Sequence, residues 1–149
     1  MDRISKHISY REATHSNTGT RLSINNAPND EQLTAMKLLA EKVFEPLRIH
    51  FDKPIRINSF FRCTALNAAV GGSLSSQHRK GEAIDMDGTN GITNKMLFDY
   101  IKDNLEFDQL IWEYGTDKEP DWVHVSFTER KPNRNNILKA VKGKGYIPY

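Results

Sequence analysis

The chain has 149 residues, which is enough for one domain with a hydrophobic core and too short for two domains of ordinary size. Hydrophobic residues make up 38% of the sequence and charged residues 27%, a balance that is typical of globular proteins and excludes a disordered chain. No segment approaches the run of about 20 apolar residues that spans a bilayer, so membrane insertion is not expected. Cys63 is the only cysteine, which excludes an intramolecular disulfide and a cysteine-rich zinc finger.

Helices are predicted mainly in the first third of the chain. Ser9-x-x-Glu12 has the spacing of a capping box for a short first helix, and residues 17–29 are predicted to be a loop because they are rich in Asn, Gly, Thr and Pro. Asn29 or Asp30 is predicted to cap a long second helix. Its apolar stripe repeats at intervals of three and four residues, at Leu33, Met36, Ala40, Val43, Phe44 and Leu47. Pro46 is predicted to kink or end this helix near its last turn, because proline removes a backbone donor.

The middle of the chain alternates short helices and strands. A strand is predicted over 55–59, then a helix over 64–70 that Gly71-Gly72 ends, then a strand over 83–87. Thr93 is predicted to cap a helix that runs to about residue 104. The inward positions of that helix are predicted to be Met96, Leu97, Tyr100 and Ile101.

Two further strands are predicted over 109–113 and 122–127. In the second, the apolar residues Val123, Val125 and Phe127 alternate with Trp122, His124 and Ser126, so the imidazole lies on the face opposite the core. Helices early in the chain and strands gathered later predict an α+β fold. Its antiparallel sheet is expected to have helices packed on one side and a site on the open face.

Two histidines and one carboxylate are candidate metal ligands. His78 and Asp85 are seven residues apart, Gly81 lets the chain turn between them, and His124 arrives from another strand. Imidazole nitrogen and carboxylate oxygen suit zinc without any thiolate. Each residue alone is weak evidence, because a single histidine on a strand is more often an ordinary surface or core residue.

The flanking residues strengthen the hypothesis. The chain contains an arginine segment that ends in Arg62, a glycine pair at Gly71-Gly72, and the ordered motifs Ser76-x-His78-x-x-Gly81-x-Ala83-x-Asp85 and Asp121-x-x-His124. Over residues 30–128 this pattern resembles the zinc D-Ala-D-Ala carboxypeptidase family, which includes vancomycin-resistance dipeptidases and phage endolysin peptidases. The resemblance implies the Hedgehog/DD-peptidase fold, one zinc ion and cleavage of peptide bonds in bacterial cell-wall peptides.

The resemblance also implies roles for single residues. His78, Asp85 and His124 resemble the zinc ligands, Asp121 resembles the general base, and Arg62 resembles the arginine that contacts the substrate carbonyl. Glu113 is the alternative base if Asp121 points away.

Other polar residues near these motifs have two interpretations each. Ser76 either binds substrate or shapes the turn, and Trp122 either forms a wall of the cleft or is a partly buried indole. Asp87 either supports a ligand histidine or is solvated, whereas Glu82 is the weaker candidate because its strand parity opposes that of Asp85. Cys63 stands where a serine or another small residue is expected after the arginine.

The expected function is therefore that of a zinc metallopeptidase acting on peptidoglycan stem peptides, as a carboxypeptidase or an endolysin-type endopeptidase. One alternative is a non-catalytic zinc-binding module of the same fold, which recognises a wall peptide or a protein partner. Another is a structural phage protein or a nucleic-acid-associated protein that uses the basic C-terminal segment. Arg62 together with Asp121 favours catalysis, because a zinc-holding module needs neither residue.

One domain over residues 1–149 is expected, with an N-terminal extension over 1–29 and a basic segment over 130–149. The basic segment carries six Lys or Arg and no acidic residue, although the whole chain has a net charge of only +2. It either attracts a polyanion or is a solvated strand and loop, and without interleaved aromatic residues no nucleic acid is expected. The N-terminus has no apolar region of a signal peptide, which predicts synthesis in the cytoplasm and action on the wall after release or export. A monomer is the default expectation.

Overall fold

The computed structural model describes residues 3–149, and its first elements form a small N-terminal unit. Strands β1 (Arg3–Ser5) and β2 (Ile8–Ser9) pair antiparallel, and helix α1 (Tyr10–Thr14) follows directly. The predicted capping box is confirmed, because Ser9 accepts from the Glu12 amide while the Glu12 carboxylate accepts from the Ser9 amide. A second short helix, α2 (Asn17–Arg21), shows that the loop prediction over 17–29 was wrong at its start, where Ser16 caps the helix by accepting from the amide of Gly19.

The long second helix is interrupted in its middle rather than at its end. Helix α3 (Asp30–Leu39) has Asn29 as its N-cap, a π-helical turn spans Ala40–Phe44, and helix α4 (Glu45–Phe51) continues beyond Pro46. The prediction that Pro46 kinks or ends the helix near its last turn was therefore wrong about where the disturbance lies. In a regular α-helix the proline ring would clash with the backbone carbonyl four residues earlier. A wider turn immediately before the proline removes this clash, so the helix can continue.

A six-stranded sheet forms the centre of the fold, with the strand order β3-β4-β6-β5-β7-β8. The strands, with helices α5 and α6 between them, are β3 (Arg56–Ser59), α5 (Thr64–Ala69), β4 (Ala83–Asp87), α6 (Asn94–Asn104), β5 (Gln109–Glu113), β6 (Trp122–Ser126), β7 (Asn136–Val141) and β8 (Gly145–Pro148). All pairs are antiparallel except β5 with β7, which are parallel. The mixed α+β architecture with a largely antiparallel sheet confirms the predicted fold class.

One face of the sheet packs against the helices to form the core. Ile84 and Met86 of β4 and Val123 and Val125 of β6 are fully buried there, as the alternation of these strands predicts. Helix α6 contributes buried Leu97, Phe98 and Ile101. The prediction that Met96 points inward was wrong: its side chain is 41% exposed, and its sulfur lies 3.5 Å from the amide of the N-cap Thr93. The opposite face of the sheet is left for the site.

The basic C-terminal segment is largely built into the fold. Two of its cations bind buried carboxylates: Arg130 holds Glu82 through two hydrogen bonds of 2.8 Å, and Arg134 holds Asp108 through bonds of 2.9 and 2.8 Å. Lys131 also approaches Asp108, at 3.3 Å, and Lys139 pairs with Asp117. The segment then forms β7 and β8, which supports the interpretation as a strand and loop over that of a site for polyanions.

Asp108 should be a strong contributor to stability. Its side chain is fully buried and accepts from the side chains of Arg134, Lys131 and Gln77 and from the Arg134 amide, which together hold the pKa of its carboxyl well below the usual range although burial opposes this. Replacing Asp108 with Ala should lower the free energy of unfolding by about 2–4 kcal/mol, because several charged and polar groups lose their partner together. Urea unfolding followed by circular dichroism measures this loss.

Asp117→Ala is the matched control for that change. The Asp117 carboxylate is 95% exposed and pairs with Lys139, so solvent screens the pair and little change is expected. Equal destabilisation by the two variants would contradict the importance of the buried carboxylate.

Among residues 3–149, no helix combines the length and the apolar character that a membrane crossing requires.

Candidate active site

His78 is presented by a short turn with three local supports. A 3₁₀ turn spans Gln77–Lys80, and Ser76 caps it by accepting from the His78 amide at 3.3 Å. Gly81 ends the turn in the left-handed region at φ +73°, where an added Cβ would lie 2.6 Å from the Gln32 carbonyl oxygen. Only glycine fits this position without strain. The prediction that Gly81 lets the chain turn between the two candidate ligands agrees with this geometry.

The imidazole of His78 is fixed with one nitrogen left unpaired. Its Nδ1 lies 2.7 Å from the carbonyl oxygen of Phe60, and its side chain is buried. Its Nε2 is also buried and makes no hydrogen bond, although it lies 3.2 Å from an oxygen of Asp85. Buried polar atoms without partners are rare, and an unpaired imidazole nitrogen oriented by a carbonyl on its other side is typical of a metal ligand.

The remaining two candidates come from neighbouring strands. Asp85 of β4 and His124 of β6 are directly opposite each other in the antiparallel pair, so both side chains lie on the open face. His124 Nδ1 is 2.9 Å from Asp85 Oδ1, and the His78 and His124 ring centroids are 5.2 Å apart. One ligand atom from each of the three residues lies within 4.8 Å of the other two. The cluster therefore has the size and donor set of a metal site with two imidazoles and one carboxylate.

The charge states of this cluster suit a cation. Burial is the main reason that the pKa of His78 is lowered, which keeps its imidazole neutral. Burial would raise the pKa of Asp85, but the two histidines outweigh it and hold the pKa well below the usual range. A neutral imidazole and an ionised carboxylate are the forms that bind metal.

Arg62 lies beside the cluster and is held in place by polar contacts. Its Nη2 is 3.5 Å from Asp85 Oδ2, its Nε donates to the Ser59 hydroxyl at 3.0 Å, and its Nη1 lies 3.4 Å from the side-chain oxygen of Asn67. Gly72 has no room for a side chain, since an added Cβ would clash with Asn67 and approach Arg62. Of the glycine pair, Gly72 thus makes room for the contact that orients the guanidinium.

Glu113 is a buried acid on the face that carries the cluster. In the pair between β5 and β6, Ile111 is opposite His124 and Glu113 is opposite Trp122, so Glu113 is diagonal to His124 on one face. Diagonal neighbours in a sheet are about 7–8 Å apart, within reach of a glutamate side chain. Burial raises the pKa of Glu113 to about 7, with a further increase from Asp85 and opposing effects of His124 and Arg62.

The raised pKa of Glu113 predicts a pH-dependent stability. In the metal-free protein, the unfolded chain releases this proton above about pH 4.5, whereas the folded chain retains it until about pH 7. The unfolded state therefore binds fewer protons between these values, and the folded state loses stability as the pH rises through them. Glu113→Gln should be close to wild type near pH 4 and more stable by up to about 3 kcal/mol at pH 8, measured by urea unfolding with a chelator present. A constant difference across this range would contradict the buried carboxyl.

Asp121, the base that the sequence predicts, lies one residue before β6 and is exposed. Its amide donates to the Glu113 carbonyl at 2.9 Å, and its own carbonyl accepts from the Asn94 side chain at 3.1 Å. No hydrogen bond or ion pair joins its carboxylate to His78, Asp85 or His124 among the described residues. The Glu113 carboxyl makes no such contact among these residues either, but strand register places Glu113 on the face of the cluster. Catalysis by Asp121 stays a prediction.

The other candidates occupy distinct places. Trp122 is half-buried on the face of the cluster, 5.6 Å from the Tyr114 ring, and Ser76 contacts the backbone of His78. Asp87 accepts 2.7 Å hydrogen bonds from Asn58 of β3 and from Asn94 at the start of α6, so it joins these elements rather than supporting a ligand histidine. Binding of substrate by Ser76 and Trp122 stays a prediction.

Two residues outside this face also find structural partners. Glu82 binds Arg130 and Thr128 and has no contact with the cluster. Cys63 takes the place of the expected small residue by capping α5, where its sulfur lies 3.4 Å from the Leu66 amide.

The position of the C-terminal strands beside Glu113 was not predicted from the sequence. Tyr146 of β8 shares a row of the sheet with Glu113 through Ala140 of β7. Only strand register places Tyr146 in this row, and local sequence patterns do not predict register.

Comparison with known proteins agrees with this geometry. No curated protein matches the chain. A family model described as Peptidase M15 matches residues 6–126, well over half of the chain, and these residues include the whole histidine and aspartate cluster, Arg62 and Glu113. The chain therefore belongs to the Peptidase M15 family of metallopeptidases.

Proposed function

We propose that the protein is a zinc-dependent peptidase that hydrolyses peptide bonds in the stem peptides of bacterial peptidoglycan. The observation that carries the proposal is the buried, unpaired Nε2 of His78 beside Asp85 and His124, on the face where a second buried acid lies. Family membership supports a peptidase, and the resemblance to D-Ala-D-Ala carboxypeptidases and endolysin peptidases supports a cell-wall substrate.

Zinc fits the three side chains better than other common metals do. Two imidazoles and one carboxylate form a catalytic type of zinc site, in which three protein ligands leave a fourth position open. Magnesium and calcium prefer sites made wholly of oxygen atoms, and no thiolate is present to favour a softer metal. When bound, the ion supplies Lewis-acid catalysis and lowers the pKa of water to about 7.

We infer that Glu113 is the general base and acid of the reaction. It is a buried carboxyl on the face of the cluster, where its carboxylate can take a proton from the attacking water. The protonated carboxyl then gives this proton to the leaving amine. The exposed position of Asp121 makes it the second candidate for this role.

Arg62 is suited to bind the scissile carbonyl. Its guanidinium is held by Ser59, Asn67 and Asp85, so it is oriented before substrate arrives. A preorganised cation stabilises the negative charge that develops on the carbonyl oxygen in the transition state. A module that only binds zinc would need neither this arginine nor a buried acid, which favours an enzyme over the non-catalytic alternative.

Digestion of purified peptidoglycan tests the proposal. The protein should release new stem-peptide fragments whose masses identify the bond cleaved, a chelator should stop the reaction, and added zinc should restore it. Release of fragments that a chelator does not affect would overturn the metal dependence. Zinc binding without any new fragment would favour the non-catalytic module.

We propose that the enzyme acts on the wall after release or export, as a phage or bacterial protein.

A further inference from the structure

One row of the sheet connects the buried acid to the C-terminal edge strand. Trp122 is opposite Glu113, Glu113 is in register with Ala140, and Ala140 is opposite Tyr146. Residues in register on adjacent strands project from the same face, so all four side chains lie on the face that carries Asp85 and His124. Tyr146 and Trp122 therefore lie on either side of Glu113 along this row.

The residue between Glu113 and Tyr146 leaves space for an approach. Ala140 is buried and has only a methyl group, and two strand spacings separate the backbones of Glu113 and Tyr146 by about 10 Å. A tyrosine side chain can lean across a methyl group over much of this distance. The pKa of the Tyr146 phenol is raised, first by burial and then by the carboxyl of Glu113, Tyr114 and the carboxyl of Asp85. Both carboxyls lie on the face of the sheet to which strand register assigns Tyr146.

The Tyr146 side chain is only partly covered by the protein. Its side chain is 62% exposed, and no residue between 3 and 149 makes a hydrogen bond with its hydroxyl. The other tyrosine of this strand end, Tyr149, behaves differently. Its ring lies 4.9 Å from Phe98 and 5.9 Å from Trp112 on the opposite face of the sheet, where it covers the core.

We propose that Tyr146 is a substrate-binding residue, whose ring contacts the peptide on the side of Glu113 away from Trp122 and whose hydroxyl donates a hydrogen bond to that peptide. The inference rests on the proposed function, because it needs a peptide at this face. An aromatic ring with a polar end is suited to such a position, since it contributes contact area and one directional hydrogen bond. Tyr146 lies beyond residues 6–126, so the hairpin of β7 and β8 would add a substrate contact to the part of the chain that matches the family.

Two substitutions separate the hydroxyl from the ring. Tyr146→Phe should raise KM for a synthetic stem pentapeptide ending in D-Ala-D-Ala by about 2–10-fold with little change in kcat, the range for one hydrogen bond. Tyr146→Ala should lower kcat/KM by about 10–100-fold, because the ring contact is lost as well. Tyr149→Phe is the matched control, and it should keep wild-type kinetics because it keeps the ring on the core side. All three variants should retain wild-type zinc content and thermal midpoint, which a folding defect would change.

Affinity for the same pentapeptide, measured by tryptophan fluorescence, makes the test independent of turnover. If the wild type hydrolyses the peptide and Tyr146→Ala matches it in kcat/KM and affinity, the inference fails and the proposed function stands. If the wild type binds the peptide without hydrolysis and Tyr146→Ala binds about 10-fold more weakly or worse, the inference is supported and the proposed function fails. If the wild type neither binds nor hydrolyses the peptide and also releases no fragment from purified peptidoglycan, both are overturned.

Discussion

Glu113→Gln should lower kcat by about 10²–10⁴-fold and leave zinc bound, because the amide keeps the size of the side chain and cannot accept the proton of the attacking water. The reason is structural: Glu113 is a buried acid on the face that carries the cluster. The measurement is steady-state hydrolysis of the stem pentapeptide by zinc-loaded protein, with zinc content determined by elemental analysis.

Asp121→Asn is the matched control, because it makes the same chemical change eight residues further along the chain. The Asp121 side chain is exposed and its backbone is held by Glu113 and Asn94, so the variant should keep kcat within about threefold of wild type. A loss of 10²-fold or more in Asp121→Asn, with little loss in Glu113→Gln, would return the role of base to the residue that the sequence motif favours.

His124→Ala should abolish both zinc binding and hydrolysis. With one of three ligands removed, Asp85 also loses the 2.9 Å contact with His124 Nδ1, and the remaining pair of donors holds a divalent ion far more weakly. Purified wild-type protein should contain about one zinc per chain and the variant close to none. Saturating zinc should raise the thermal midpoint of the wild type and leave that of the variant unchanged, because a ligand stabilises only the state that binds it.

His15→Ala provides the control for this loss. His15 is an exposed histidine that contacts Asn17 and makes no hydrogen bond or ion pair with the cluster among the described residues, so its removal should leave zinc content and activity unchanged. Full zinc content in His124→Ala would overturn the assignment of this residue as a ligand, whatever the activity of the variant.

The sequence predicts the part of the fold that local patterns encode. Alternation identifies the strands that carry Asp85, Glu113 and His124, and capping residues identify the starts of α1, α3 and α6. The three metal-ligand candidates come together because β4 and β6 are neighbours, and the ordered motifs indicate this before any register is known.

The rest depends on pairings between distant segments. The position of Asp121 relative to the cluster depends on where β6 begins, and that of Glu113 depends on which residue of β5 is opposite Trp122. The spacing of Asp121 and His124 in the sequence predicts neither. Tyr146 lies on this face only because β7 pairs with β5 on the side away from β6, which requires residues 127–135 to pass around the start of β5. The π-helical turn at Ala40–Phe44 is a response to Pro46 that propensity alone does not predict.

The ion pairs of the C-terminal segment limit how far this protein can be shortened. Glu82 and Asp108 lie inside the part of the chain that the family model covers, but their cationic partners Arg130 and Arg134 lie outside it. A version trimmed at residue 126 would keep two acids in the interior with no counter-charge, and each would have to take up a proton or draw water inward. The autonomous folding unit is therefore larger than the region of family similarity, and expression boundaries chosen from similarity alone would yield a chain that folds poorly.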